Sequence, residues 1–528
     1  MEEAIINKRQ SWFVWFLYGV LTVFFLILFA RLIELTVIKG NYYRSLSDEN
    51  RIRRIPILAK RGKIIARGGE ILVDNQLEDS NYLSDRLSET KLIIPWKRVY
   101  PRGEAFAHLT GYLGEVSSDE LGKVLGDCPE KGPKVIGSLI GRGGLEEFYE
   151  CLLSGVNGEE LIEVDAFGKN PKVLGKREAK DGENIYIHID YGLQLKVYDL
   201  VKDRKASVII TRPNGEVLSL VSSPSYDPNV FVDSEKSDQR KNILEDSKLP
   251  LFNRVIGGLF HPGSVFKPLV ALASLEEGVI DKNYRYKDEG QIVIKTLYGN
   301  FSYKNWYFTQ YGGVEGEIGL VKALSRSTDT FFYKIGELAG IKSIVEWSDE
   351  LGLNKKSGID LPGEVEGLVP SPEWKMKVKG ERWFLGNTYH ISIGQGDLAL
   401  TPLAINRYIS AIATGKLCKP RLVGEGECKD LSVNRENLKL IVDGMKGACS
   451  SGGTGYTFFD FQEKTGLNVA CKTGTAENEG KDPHAWFTVF APAENPEIIA
   501  TVLIENAGEG SKVAGPIARA IFDYYFSR

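Results

Sequence analysis

Three short stretches of this 528-residue chain hold side chains of the types and spacing that acyl transfer needs. In HPGSVFKPLVALASLEEG, residues 261–278, Ser264 and Lys267 stand three apart, one helical turn on the same face, so an amine lies within reach of a hydroxyl. That is a nucleophile beside a base. A lysine enclosed by Phe266, Leu269 and Val270 is costly to keep charged, and the positive end of a helix adds to that cost. The neutral amine that results can take the serine proton. Alone the pair says little, because Ser88 and Lys91 match it in a polar stretch, and a helix N-cap with its lysine reaching solvent is the plain alternative. Two further stretches give it meaning: Ser327-Thr328-Asp329 in ALSRSTDTFFYKIG, and Lys472-Thr473-Gly474-Thr475 in NVACKTGTAE.

The elements that would carry these residues follow from local pattern. Pro262 and Gly263 make a turn, Ser264 opens a helix whose apolar residues from Val265 to Leu275 cover nearly every face, and Gly278 suits its end. Such a helix runs through a core. Lys472 follows an apolar run and precedes two strand-like stretches, AWFTVFAP and EIIATVLIEN. The look-alikes Ser225-Tyr226-Asp227, Ser432-Val433-Asn434 and Lys464-Thr465-Gly466 lack that context. ASVIITRPNGEVLSLVSSPS reads as two strands joined by a Pro-Asn-Gly turn. With strands at about 469–474, 485–491 and 497–505 it predicts an antiparallel sheet, closed by the helix GPIARAIFDYYFS. The Ser264 and Ser327 regions belong to a helical half, so the site is expected in the groove between lobe and sheet.

Serine helix, polar turn and lysine strand in this order are the motif set of penicillin-binding proteins and related β-lactamases. Together with NRVIGGLFHPGSVFKP, SGIDLPGEVEGLVPS, GNTYHISIGQGDLALTPL and HAWFTVFAPAENP, the chain resembles a class B penicillin-binding protein over nearly its full length. Among these D,D-transpeptidases it is most like the elongation-type branch, penicillin-binding protein 2. The resemblance implies an acyl-serine transpeptidase acting on peptidoglycan stem peptides that end in D-Ala-D-Ala, with an amine of a neighbouring stem as acceptor. Ser264 is then the nucleophile, and Lys267, Ser327, Asp329 and Lys472 are catalytic. Thr473, Gly474 and Thr475 bind substrate, and the backbone N–H groups of Ser264 and Thr475 form the oxyanion hole. β-Lactam antibiotics are the expected inhibitors. A SEDS-family membrane glycan polymerase is the expected partner. Asp329 stands where asparagine is commoner; a carboxylate cannot donate a hydrogen bond and favours charged lysines. A division or spore-type enzyme, a carboxypeptidase or β-lactamase, and a silent scaffold that binds β-lactams are the alternatives.

The expected class is α+β: an antiparallel sheet with a helical lobe, plus an N-terminal pedestal domain and one transmembrane helix. Residues 12–30, WFVWFLYGVLTVFFLILFA, are free of charge and long enough to cross the hydrocarbon of a lipid bilayer. The expected organisation is a cytoplasmic N-terminus at 1–11 and a membrane helix at 12–31. A pedestal or dimerisation-like domain at 32–183, with a small head insertion at about 76–135, leads to a transpeptidase domain at 184–528. Lys8 and Arg9 favour an inside N-terminus, Arg31 and Lys39 oppose it, and the extracytoplasmic placement of the body in a bacterial cell follows from the resemblance. The family's R-G-x-I-x-D-R-x-G stretch is present as Arg61, Gly62, Ile64, Arg67 and Gly69, with Ala66 in place of the aspartate. The lone His108 is expected to be structural. A net charge of −4 gives no reason to expect nucleic acid. Six cysteines without C-x-x-C pairs indicate no metal site, and no cofactor is called for. Cys418 and Cys428 are the pair considered for a bridge in an oxidising compartment, and Cys471 is expected to fill core space.

Overall fold

The computed structural model describes residues 2–77, 96–123, 128–134, 137–163, 172–297 and 299–528. Two compact units are built from interleaved segments: residues 1–60 with 155–182, and residues 61–154 with 183–528.

In the first unit a single helix, Glu2–Ile33, carries the apolar run and continues through one wide turn, Glu34–Ile38. From Trp12 to Ile38 it is long and apolar enough to cross a membrane. Arg31 and Lys39 both pair with Glu34 at its C-terminal end. The strand Ile52–Ile57 pairs antiparallel with Gly158–Glu163, which pairs with Lys172–Arg177, so residues a hundred positions apart share one small sheet.

The second unit is organised around a five-stranded antiparallel sheet in the order Val217–Ser223, Ala206–Thr211, Ile498–Ile504, Lys481–Ala491, Ala470–Asn478. The first three strands are buried along their whole length. The sequence of Ile498–Ile504 is accordingly almost wholly apolar, because both faces are covered. Ile498, Ala500, Val502 and Ile504 face helices Tyr191–Val201 and Gly510–Phe526, whereas Ile499 and Leu503 face the helical lobe. The period of two decides which core each residue enters. The strand expected at 485–491 begins earlier, at Lys481, because a tight turn at Glu479–Gly480 joins it directly to its neighbour.

The lobe comprises Lys267–Glu276, Leu320–Arg326, Asp329–Glu350, Leu385–Ser392, Pro402–Thr414 and Arg435–Ala448. Local rules account for several ends. The Thr401 hydroxyl accepts from the Ala404 N–H with Pro402 in the first turn, and Gly415 closes that helix in the left-handed conformation. A third core joins Ile64, Val73 and Leu145 to Ile209, Leu220, Val255 and Ile256, so the head segments pack on the sheet's outer strands. Beside it lies a buried ionic cluster: Arg61 reaches Glu146 and Glu150 at 2.8 Å each, and Arg98 reaches Glu146 at 2.7 Å. Ala66, which stands in place of the aspartate of the R-G-x-I-x-D-R-x-G stretch, is buried in that third core. Part of the expected head insertion, 78–95, 124–127 and 135, lies outside the described residues, as does the look-alike Ser88–Lys91.

Candidate active site

The serine stands in a tight turn rather than a regular α-helix. Gly263–Phe266 is a 3-10 turn leading directly into the α-helix Lys267–Glu276, and Lys267 through Leu275 are all buried. In a 3-10 turn residues i and i+3 eclipse, which stacks Ser264 over Lys267. Gly263 is required here: its φ is +58°, and an added Cβ would come within 2.9 Å of the Thr475 carbonyl. Gly474 answers it from the strand, where a Cβ would meet Trp486 at 2.9 Å and Val265 at 3.0 Å. Together the two glycines let the serine turn lie against the lysine strand. The Tyr408 hydroxyl donates to the Val265 carbonyl and fixes the turn from the other side.

Two lysines converge on one serine hydroxyl. Lys267 Nζ donates to Asp329 Oδ1 at 2.6 Å, to the Ser327 carbonyl at 2.8 Å and to Ser327 Oγ at 3.2 Å. Lys472 Nζ donates to Ser327 Oγ at 2.8 Å and to the Thr473 carbonyl at 3.0 Å. Both ammonium-bearing side chains are fully buried. Burial lowers Lys267, and the Asp329 carboxylate opposes it. Burial pushes Lys472 well down, the Lys267 charge adds to that, and Asp329 again opposes. Burial therefore outweighs the carboxylate at both amines, and one Ser327 hydroxyl joins two groups whose charged forms burial disfavours.

Ser264 is half-buried and its hydroxyl is not hydrogen-bonded to Lys267, whose amine is turned towards Ser327 and Asp329. In enzymes without substrate such contacts are often long, and they tighten in the complex.

The motif residues are held by others that carry no motif signal, among them Asn305, Asp288, Trp306 and Thr454. Ser327 ends the helix Leu320–Arg326 with φ +56°, a left-handed conformation that a non-glycine residue adopts at a cost of about 1–3 kcal/mol. This bend aims its hydroxyl between the lysines. Asp329, first in its helix, accepts from the Trp306 N–H at 2.8 Å through its second oxygen, while its own N–H donates to Asn305 Oδ1 at 3.1 Å. Asn305 in turn donates to Asp288, which also accepts from the Thr330 hydroxyl at 2.7 Å. Asp329 thus serves as an acceptor on both oxygens, a task that asparagine could not perform with both atoms. Thr473 Oγ1 donates to Thr454 Oγ1 at 2.8 Å, and Thr475 Oγ1 accepts from the Gly510 N–H at 3.3 Å. Cys471, fully buried one residue before Lys472, fills core space as expected but does so as a disulfide with Cys449. Cys418–Cys428 and Cys128–Cys151 are also bonded. His108 is buried against Tyr226, and Lys464 is paired with Asp460 on a surface helix.

Residues 206–523 match the family model of the penicillin binding protein transpeptidase domain, and residues 84–187 match that of the penicillin-binding protein dimerisation domain. The peptidoglycan D,D-transpeptidase MrdA of Acinetobacter baumannii is 29% identical, with 99% of this chain and 88% of the relative covered. That of Escherichia coli K12 is 29% identical over 94% of this chain and 91% of the relative. Among solved structures, Pseudomonas aeruginosa PBP2 in complex with WCK 5153 superposes with a TM-score of 0.75 at 30% identity, covering 90% of this chain and 96% of that one. Helicobacter pylori PBP2 in its complex with MreC gives 0.77 at 27% identity, covering 90% and 98%.

Proposed function

This chain belongs to the penicillin-binding protein transpeptidase family, and on that premise we propose that it is an elongation-type class B peptidoglycan D,D-transpeptidase. Ser264 attacks the carbonyl between the two terminal D-alanines of a donor stem, with Lys267 taking its proton. Ser327 passes a proton to the departing amine from the lysine pair. D-Alanine leaves and an ester to Ser264 remains. An amine of a neighbouring stem then attacks that ester, which forms the crosslink and restores the hydroxyl. The N–H groups of Ser264 and Thr475 hold the developing oxyanion. Lys472, Thr473 and Thr475 hold the donor's terminal carboxylate as the peptide lies along the exposed edge of the Ala470–Asn478 strand, the last in its sheet.

One observation carries this reading: two buried lysines, from different elements, share the Ser327 hydroxyl beside a serine in a glycine-fitted turn. Neither a surface N-cap nor a scaffold needs two desolvated amines. The same proposal divides the chain into a cytoplasmic segment at 1–11, a membrane helix at 12–31, a pedestal at 32–183 and a transpeptidase domain at 184–528. The catalytic body lies outside the bacterial cytoplasmic membrane, and a SEDS-family polymerase supplies the glycan. Intact-mass spectrometry of the full chain in detergent after incubation with a β-lactam tests the chemistry. A single lasting adduct in the wild type and none in Ser264→Ala is the expected result. An adduct that persists in Ser264→Ala overturns the assignment of the nucleophile, and one that is rapidly lost from the wild type makes the protein a β-lactam hydrolase.

A further inference from the structure

Two helices begin beside the Lys267–Asp329 pair, and neither takes the cap that its own sequence offers. Thr328 precedes the helix Asp329–Glu350, yet its hydroxyl makes no cap bond and, though buried, has no hydrogen-bond partner among the described residues. Asn305 precedes the helix Trp306–Tyr311, and its side chain does not bond to that helix either. An asparagine in this place ordinarily accepts from an N–H two or three residues on. Here it serves the other helix. Asn305 Oδ1 accepts at 3.1 Å from the Asp329 N–H, one of the groups that a helix start leaves open. The next residue completes the grip, since the Trp306 N–H donates to Asp329 Oδ2 at 2.8 Å and leaves Oδ1 to Lys267 at 2.6 Å.

Asn305 is turned this way by the foot of a hairpin. The ladder of Gln291–Thr296 with Gly299–Lys304 ends on the pair Gln291 and Lys304, and the Asn305 N–H extends it to the Gly290 carbonyl at 2.8 Å. Behind the side chain stands Asp288, which accepts from Asn305 Nδ2 at 3.2 Å. Asp288 is itself fixed by the Gly290 and Glu315 N–H groups at 2.9 and 2.8 Å and by the Thr330 hydroxyl at 2.7 Å. Asn305 and Asp288 are 0% and 1% exposed, so solvent does not compete for these bonds. With its amide nitrogen given to a carboxylate, the asparagine has its oxygen left for Asp329.

We propose that Asn305 is a positioning residue for the base: held by Asp288 and acting through Asp329, it keeps that carboxylate aimed at Lys267. The inference rests on the transpeptidase reading and adds to it a residue that lies outside all three motifs. Lys267 is faced by two charged groups, Asp329 from the long helix and Lys472 from the strand, and Asn305 is bonded to the first. Loosening Asp329 has two consequences. It takes from Lys267 the partner that favours the charged amine, which moves the rising limb of the pH profile down. It also frees the amine from the place where it meets Ser327, which lowers the plateau above that limb.

The test is the second-order rate of acylation by a fluorescent penicillin, taken on the full chain in detergent between about pH 5 and 9. Rates are divided by the sites labelled at completion, so a partly misfolded preparation does not mislead. Wild type, Asn305→Ala, Asp329→Asn and the double variant make one cycle. Asn305→Ala should lower the plateau about tenfold, the size of a buried N–H left without its acceptor, and should move the limb to lower pH, the direction expected of Asp329→Asn. In the Asp329→Asn background the same substitution should leave the limb in place and change the plateau by no more than about twofold, because the two residues act as one unit. Asn305→Ser, whose hydroxyl is too short to span Asp288 and Asp329, takes its place in the cycle if Asn305→Ala does not fold. A limb that keeps its wild-type position when Asn305 is replaced, whatever happens to the plateau or the melting midpoint, makes Asn305 a structural residue and overturns the inference. A full effect in the Asp329→Asn background overturns it too. A wild type that takes no penicillin overturns the transpeptidase reading, and the positioning role with it.

Discussion

At the scale of single residues the balance at Lys267, the proposed base, should set the pH at which acylation proceeds. Its amine is lowered by burial and raised in part by Asp329, so the neutral base exists at a lower pH than for a free lysine. Acylation should therefore rise with pH through the lowered lysine value. Asp329→Asn removes the group that favours the charged form, so the rising limb should move to lower pH, as read from the second-order rate of penicillin acylation between about pH 5 and 9. A limb that stays in place would mean that another group is the base. Ser327→Ala takes away the acceptor shared by both amines, and two buried donors left short of a partner should cost about 1–3 kcal/mol, or about tenfold to a hundredfold in that rate. The sequence motifs singled out Ser264, Lys267, Ser327, Asp329 and Lys472, the residues proposed as catalytic, because their types and order are distinctive. The left-handed bend at Ser327 and the Asn305–Asp288 support were hidden, since a serine in that conformation looks like any other and the asparagine lies 24 residues from its partner.

At the scale of elements the Cys449–Cys471 bridge ties the end of the Arg435–Ala448 helix to the lysine strand. The loop between helix and strand is fastened at further points: the Thr454 N–H donates to the Ser325 carbonyl at 3.3 Å, Arg326 donates to the Gly452 carbonyl at 3.0 Å, and Thr454 receives Thr473. The polar turn and the lysine strand thus meet at one loop. Cys449 and Cys471 are 3% and 0% exposed, whereas Cys428 lies on the surface. Mild reductant followed by iodoacetamide should label Cys418 and Cys428 first, as mapped by peptide mass spectrometry, and leave penicillin acylation intact. Early labelling of Cys471 would show that the loop opens readily. Replacing both Cys449 and Cys471 by serine should cost about 2–4 kcal/mol, lowering the melting midpoint and slowing acylation together. Sequence spacing suggested only the 418–428 pair, which a short hairpin brings together. The 449–471 pair depends on a helix packing on a sheet, and no local pattern announces that.

At the scale of the whole molecule the early and late parts of the chain are interleaved, and within the second unit the buried ionic cluster draws together residues up to 89 positions apart. Arg61 follows the first unit's strand, Arg98 lies in the strand Trp96–Val99, and Glu146 and Glu150 lie on short helices just before the chain returns to the first unit. The side chains of Arg98 and Glu146 are 0% exposed. Burial works against the charge on Arg61 and Glu146, yet the partners prevail, holding the guanidinium above and the carboxylate below its ordinary value. Glu146→Leu would leave Arg98 without a carboxylate and Arg61 with Glu150 alone, at a cost of about 3–5 kcal/mol. Pairing it with Arg98→Met removes the stranded charge and keeps Arg61–Glu150, so the double variant should melt above the single one although it lacks more native contacts. The adjoining core runs from Ile64 and Leu145 to Ile209 and Leu220 on the catalytic sheet, so the loss should extend to the fraction of chains that penicillin labels after mild heating. Melting of the full chain in detergent, followed by both light scattering and penicillin labelling, reads the two effects. If the double variant melts no higher than Glu146→Leu, the cluster's value lies in its hydrogen bonds to the Gly62 carbonyl and Asn75 rather than in charge balance, because those are lost in the double variant as well.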